Sequence, residues 1–195
     1  MRIVGGRFRG RALAAPGDAR TRPTSDRVRE AVFNILAHGI PDLEIEGARV
    51  LDLFAGTGAL GLEALSRGAA FCLFVEEDAD ARALIRRNVE ALGLTGVTKI
   101  FRRDATDLGP AGRQGGFTLA FLDPPYGQGL AERALASAAD GGWLAAGAVA
   151  VIEERKGTPV AMPAGYAALD ARSWGDTEAR FARFTGGATR SGGDD

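Results

Sequence analysis

The chain has 195 residues, 46% apolar and 25% charged, with a net charge of −1, a balance that describes one soluble globular domain with a short appendage. No window approaches the roughly 20 consecutive apolar residues of a membrane span, and the N-terminal MRIVGGRFRGR lacks the apolar core of a signal peptide. One cysteine, Cys72, excludes an intrachain disulfide and a cysteine metal cluster, so the reading is a cytoplasmic protein without metal or membrane attachment.

Charge is uneven from the start of the chain. Residues 1–30 hold eight arginines against Asp18, Asp26 and Glu30, a net of +5 that leaves −6 on the remaining 165 residues. A basic arm on an acidic body suits a chain that holds a polyanion beside a site tuned for something else; it suits a solvated N-terminus equally well. Within the arm, Gly5, Gly6 and Gly10 punctuate short apolar pieces over 2–13 and predict a small hairpin. A loop, APGDARTRPTSD, follows. Thr24, Ser25 and Asp26 then offer N-cap oxygens, and Val28, Ala31, Val32, Ile35 and Leu36 recur at helical spacing, closed by His38, Gly39 and Pro41.

From residue 48 the pattern alternates. Strands are expected at 48–54, 70–76, 97–104, 118–123 and 148–154, with helices near 58–67, 79–92 and 129–140. Nearly continuous apolar strands separated by helices predict a doubly wound, Rossmann-like α/β sheet, mostly parallel and covered on both faces. Segments 166–173 and 178–184 read as a closing antiparallel hairpin. The organisation expected is a basic hairpin and loop over 1–25, one α/β domain with its leading helix over 26–185, and a disordered tail over 186–195.

The first strand runs into a glycine loop, LDLFAGTGALGLEAL. Gly56-x-Gly58-x-x-Gly61 matches the dinucleotide fingerprint, with Glu76 twenty residues beyond Gly56. That match serves nicotinamide, flavin and S-adenosylmethionine proteins alike, since each needs a side-chain-free backbone beside an adenosine and an acid for the ribose. Charge separates them. Ligands of doubly wound sheets bind outside the carboxyl ends of the strands, and Asp52, Glu76, Asp104 and Asp123 stand at or near the ends of four consecutive expected strands. A pyrophosphate would be repelled there. The sulfonium and ammonium of S-adenosylmethionine would be attracted, one unit pair at about 4 Å and an effective dielectric near 20 being on the order of 4 kcal/mol before desolvation.

The segment FLDPPYG, residues 121–127, follows the fourth strand. Pro124 and Pro125 carry no N–H, so the Asp123 carboxylate and the loop carbonyls form a cluster of acceptors. A carboxylate and a fixed carbonyl match the two hydrogens of an amino group. Holding those hydrogens steers the nitrogen lone pair out of conjugation and toward a methyl donor. Tyr126 offers a flat face on which an extruded base stacks. Cys72, within a strand, reads as core. His38, the one histidine, reads as a helix C-terminal residue interacting with the dipole, which leaves positioning, rather than a His-based triad or metal, as the means of catalysis.

The D-x-F-A-G-T-G loop with the DPPY tetrapeptide resembles the amino-methylating group of S-adenosylmethionine-dependent methyltransferases, which modify exocyclic amines of adenine, cytosine or guanine, or a glutamine amide. The order RIVGGRFRGRAL, RPTSDRVREAVFNIL, LDLFAGTGALGLEALSRGA, FLDPPYG and WGDT is similar, from Arg2 to about Phe184, to the bacterial 16S rRNA guanine-N2 methyltransferase family of RsmD type. Trp174 stands where an aromatic, commonly tyrosine, is expected. The resemblance implies methyl transfer from S-adenosyl-L-methionine to N2 of one guanine in 16S rRNA, free or in the assembling small ribosomal subunit, by a monomer. It implies the amino-group site at Asp123, Pro124 and Tyr126, and the methionine portion of the donor along Asp52, Phe54, Ala55, Gly56, Thr57 and Gly58. The ribose falls to Glu76, and the adenine to Asp104 and Ala105. Arg22, Thr24, Arg27, Arg29 and Asn34 match the family segment before the first strand, some of them expected near donor or target. Arg7, Arg9 and Arg11 would meet phosphates, with Arg22 and Arg27 on the same nucleic-acid side. Two rivals stay open: a DNA adenine-N6 or other amino methyltransferase, and a nicotinamide-dependent oxidoreductase.

Overall fold

The structure, a computed structural model, describes residues 1–17 and 26–186. Arg22 and Thr24, most of the expected loop before the first helix, and the tail beyond Gly186 lie outside the described residues. Helix α1 (Asp26–His38) buries Val32 and Leu36 of the marked spacing together with Phe33, which that spacing does not include, while Val28, Ala31 and Ile35 are half-buried; it ends at His38 as expected. Strand β1 (Arg49–Leu53), α2 (Ala59–Ser66), β2 (Phe71–Val75), α3 (Ala79–Ala91), β3 (Thr98–Phe101), β4 (Phe117–Leu122) and α4 (Leu130–Asp140) follow, and β5 (Leu144–Arg155), β6 (Tyr166–Trp174) and β7 (Thr177–Phe184) close the domain. No helix among the described residues is long and apolar enough to cross a membrane.

The strands form one seven-stranded sheet in the order β3-β2-β1-β4-β5-β7-β6. Strands β1 to β5 pair in parallel, and β7 runs antiparallel between β5 and β6. The strand order reverses between β1 and β4, the place where a doubly wound sheet opens a crevice beyond its carboxyl ends. Alternation along each strand sorts the core into two layers. Val50, Cys72, Phe74, Leu119 and Phe121 pack with Phe33, Leu36, Leu62, Leu65, Ile85 and Val89 of α1, α2 and α3. Leu51, Leu53, Leu73, Val75, Ala120 and Leu122 pack on the opposite face with Ala131, Ala134, Leu135 and Ala138 of α4 and with Trp143. Strand β5 begins four residues earlier than expected, at Leu144, which pairs with Phe117 before the register shifts and Val149 pairs with Leu119.

The arm folds back on itself through one bridge, Arg2 to Ala12, with Ile3 N donating to the Arg11 carbonyl (2.9 Å) and Gly10 N to that of Ile3 (2.8 Å). It lies on α2. Val4 N donates to Glu63 Oε2 (2.8 Å), Phe8 N to Ser66 Oγ (3.0 Å), and Ser66 Oγ to the Gly5 carbonyl (2.6 Å). Gly6 has φ +72, and a Cβ there would overlap the Ser66 carbonyl, so this contact requires glycine.

Arg29, one of the five residues of which some are expected near donor or target, takes a structural place. It occupies the buried side of α1 and is wholly buried. Its guanidinium donates to the Arg2 carbonyl and to Asp26 Oδ1 (2.9 Å) and stands 3.6 Å from Glu63 Oε2, while Arg67 Nε reaches Glu63 Oε1 at 2.8 Å. A buried cation is stable only when paired and hydrogen-bonded, and here the pairing fastens arm, α1 and α2 together. Asn34 lies on the exposed side of the same helix.

Candidate active site

Between β1 and α2 the chain reverses tightly. Gly56 (φ +55) and Gly58 (φ +78) adopt left-handed conformations, and so does Phe54 (φ +58), which has no glycine's freedom to do so. Gly61 lets α2 settle onto the sheet: a Cβ would stand 2.5 Å from both Cys72 Sγ and the Phe74 ring. Glu76, just past β2, locks the loop. Its Oε2 accepts from Gly56 N (2.8 Å) and its Oε1 from Asp78 N (2.9 Å), and a carboxylate offers about four acceptor positions, so it retains capacity for a ligand hydroxyl.

Beyond β3, Asp104 Oδ1 accepts from both N and Oγ1 of Thr106 (2.7 Å each). These bonds hold its carboxyl below the ordinary range. Arg133 Nη2 donates to the same Thr106 hydroxyl (3.1 Å).

Beyond β4, the β5 register pairs Leu122 with Ile152, which brings the next two β5 residues, Glu153 and Glu154, alongside the loop. Both are buried. Tyr126 Oη donates to Glu153 Oε1 (3.1 Å), and Gly127 N donates to Glu154 Oε1 (3.1 Å), which also accepts from Arg155 N (2.8 Å). Burial, then the neighbouring Glu153 charge, push the Tyr126 phenol up, so it stays a neutral donor. The Gly127 N–H, two residues past the prolines, is thereby occupied, and Pro124 and Pro125 contribute none to the Asp123 loop.

A cleft of about 1250 Å³ opens over these strand ends. It is lined by Asp52, Phe54, Ala55, Gly56, Thr57, Glu76, Asp104, Asp123, Pro124 and Tyr126, so these expected site residues share one cavity. Gly58 sits beneath it as the residue before α2, and the Ala105 side chain is buried in the core layer with Leu108. Glu77, Asp78 and Asp80 join the acidic wall, and Arg87, Arg133 and Arg155 bring cations. The acids could have been found, since the run EEDAD continues directly from Glu76. The arginines come from α3, α4 and β5 and share no local pattern. Met1, Ala15, Pro16 and Gly17 of the arm complete the wall. Among the described residues no group of three or more His, Cys, Asp or Glu is placed to hold a metal ion.

Asp52 corrects the reading of four equivalent strand-end charges. It pairs in register with Phe74 of β2 and Phe121 of β4, so its side chain points under α2, is 1% exposed, and accepts from Gly61 N at 2.9 Å. Burial, reinforced by Glu76, pushes its carboxyl up to about 8 against the opposing Gly61 bond. At neutral pH it is chiefly a neutral brace between β1 and α2, and the acidic wall is carried by the other residues. An acid raised from about 3.9 in the unfolded chain to about 8 in the fold keeps its proton when folded and loses it when unfolded, so its contribution makes stability fall as pH rises through that interval. Asp52→Asn is expected to flatten the decline in melting temperature between about pH 5 and 8 relative to wild type; parallel curves would show that the carboxyl ionises freely.

Of the arginines expected to meet phosphates, those the structure describes lie outside the cleft. Arg7, Arg9, Arg11 and Arg27 are exposed. The Arg7 guanidinium lies 4.6 Å from the Phe8 ring centroid, and Arg11 Nη2 donates to the Ala91 carbonyl at the end of α3 (3.3 Å). Arg9 and Arg27, with Arg2, line a smaller cavity of about 390 Å³ shared with Asp26 and Glu30.

Over residues 1–183 the chain matches the family model named Conserved hypothetical protein 95. It is 40% identical over 153 residues to the Ribosomal RNA small subunit methyltransferase D of Escherichia coli (strain K12), covering 78% of this chain and 74% of that one. To the protein of the same name from Haemophilus influenzae it is 34% identical over 177 residues, covering 90% and 89%. The solved structure of Escherichia coli yhhF matches with a TM-score of 0.79 at 35% identity, over 94% of this chain and 97% of that one.

Proposed function

Since the chain belongs to the Conserved hypothetical protein 95 family, and within it to the RsmD-type rRNA methyltransferases, we propose that it transfers a methyl group from S-adenosyl-L-methionine to the exocyclic N2 of one guanine in 16S rRNA. The observation that carries this reading is the placement of the acceptor loop Asp123–Tyr126 and the glycine loop in one cleft. The acidic wall and the side-chain-free backbone at Gly56 fit a donor that is cationic at sulfur and at its amino end. When bound, that donor would supply an electrophilic methyl carbon to the guanine nitrogen, its sulfur keeping the electron pair of the broken C–S bond.

The chain's own residues position and deprotonate. Tyr126, held by Glu153, gives the base a ring to stack on. Asp123 accepts one amino hydrogen, orients the nitrogen lone pair, and takes the proton that the methylated nitrogen must shed before passing it to water. Alignment of this kind can supply on the order of 7 to 11 kcal/mol of barrier reduction. The arm over 1–25, with Arg7, Arg9, Arg11 and Arg27, is the part assigned to rRNA phosphates. In a deletion strain, mass mapping of 16S rRNA should show one N2-methylguanine reverting to guanine, and the wild-type chain should restore it. An unchanged methylation map, or labelled methyl entering DNA in place of rRNA, would overturn the assignment.

A further inference from the structure

The buried face of α3 carries Ile85, Asn88 and Val89, and an amide amid an apolar stripe calls for an account. Asn88 is 2% exposed. Its Oδ1 accepts from Ala14 N (2.7 Å), and its Nδ2 donates to the Ala14 carbonyl (3.1 Å) and to the Thr57 carbonyl (3.0 Å). One side chain therefore holds both polar groups of an arm residue and, with its second amide hydrogen, the glycine loop. The two segments it joins both reach the cleft: Thr57 lines it directly, and Ala14 precedes Ala15, Pro16 and Gly17, which form its wall. A second contact links the same partners, Thr57 Oγ1 to Met1 Sδ at 3.4 Å. A leucine would fill the stripe on α3 without these bonds, whereas a buried amide is tolerated only because each of them is made.

We propose that Asn88 is a positioning residue that couples the arm to the glycine loop, so that an occupied cleft stiffens the arm and an engaged arm tightens the cleft. Coupling of this kind is reciprocal: whatever factor the donor adds to the arm's grip on RNA, RNA adds to the grip on the donor. The identity of the two ligands rests on the function proposed above; the linkage between the two segments rests on the three bonds of Asn88.

The test uses S-adenosylhomocysteine as the probe, with its affinity measured by calorimetry and amide hydrogen exchange followed over residues 10–16. In the wild-type chain the ligand is expected to slow that exchange about tenfold, within the usual range of coupling factors. Asn88→Asp keeps the shape and the acceptor but turns lone pairs toward two carbonyls. It should weaken S-adenosylhomocysteine about tenfold and abolish the ligand-dependent slowing, while a cooperative melt shows that the domain is folded. Ala14→Pro removes the N–H from the arm side and leaves α3 and the glycine loop unaltered; it should abolish the slowing as well, and it answers the question if Asn88→Asp does not fold. Absence of any binding by the wild-type chain would overturn the proposed function and the coupling with it. Binding accompanied by equal exchange over 10–16 with and without ligand would overturn the coupling alone.

Discussion

Asp123→Ala is expected to leave S-adenosylmethionine affinity within about twofold while single-turnover methyl transfer slows by about 10²- to 10⁴-fold, the range of general acid–base contributions. The split follows from position. Asp123 stands past the end of β4 on the loop side of the cleft, whereas the glycine loop and Glu76 lie past β1 and β2. Truncation there removes the group that holds and deprotonates the amino nitrogen and leaves the bonds that shape the donor side, Gly56 N and Asp78 N to Glu76, in place. Loss of an interaction made chiefly in the transition state lowers kcat and kcat/KM together. Asp123→Asn retains one carbonyl acceptor, so it should fall between wild type and alanine. Near-normal turnover by Asp123→Ala would rule out this role for the carboxylate.

Glu63→Ala should be the most costly single change to the fold, about 3–5 kcal/mol, the usual result of removing one partner of a buried ion pair, or a loss on the order of 10 °C in melting temperature for a chain of this size. The Glu63 carboxylate is fully buried, and three groups turn toward it: the wholly buried Arg29, Arg67 and the Val4 N–H. Its removal leaves the buried Arg29 with Asp26 as its counter-charge and takes away the acceptor of the Val4 N–H that ties the arm to α2. Glu63→Gln, which keeps the shape and one acceptor, should cost less. Unfolding free energies of wild type and Glu63→Ala from denaturant titration that differ by less than about 1 kcal/mol would mean that Asp26 and water suffice for Arg29.

Much of this molecule could be read from periodicity. The apolar runs at 48–54, 70–76 and 118–123 became β1, β2 and β4 with each end shifted by one residue, because strands buried on both faces leave few alternatives. The glycine loop and the DPPY segment were legible because backbone chemistry, positive φ in one and missing N–H groups in the other, depends on local sequence. What escaped is the set of polar residues on core-facing positions. Glu63 meets Val4 across 59 residues and Asn88 meets Ala14 across 74, and no local pattern reports partners so distant. Arg29 counted toward a basic arm although the fold encloses it, and Asp52 counted as a rim charge although its register with Phe74 and Phe121 turns it inward. Glu153 and Glu154 end the strand expected at 148–154, and only the pairing of β4 with β5 reveals that they hold the loop after Asp123.

Cys72 is the chain's single thiol, and it is the second residue of β2, beneath Gly61, with no exposure and with burial holding its thiol well above the ordinary range. A thiol reagent can reach it only when α2 lifts from the sheet, so the rate of chemical labelling under native conditions is a clock for opening of the molecule's interior. Fluctuations that leave α2 seated on the sheet do not advance that clock, which makes it an internal reference against which the looser parts of the protein can be timed without introducing any foreign label.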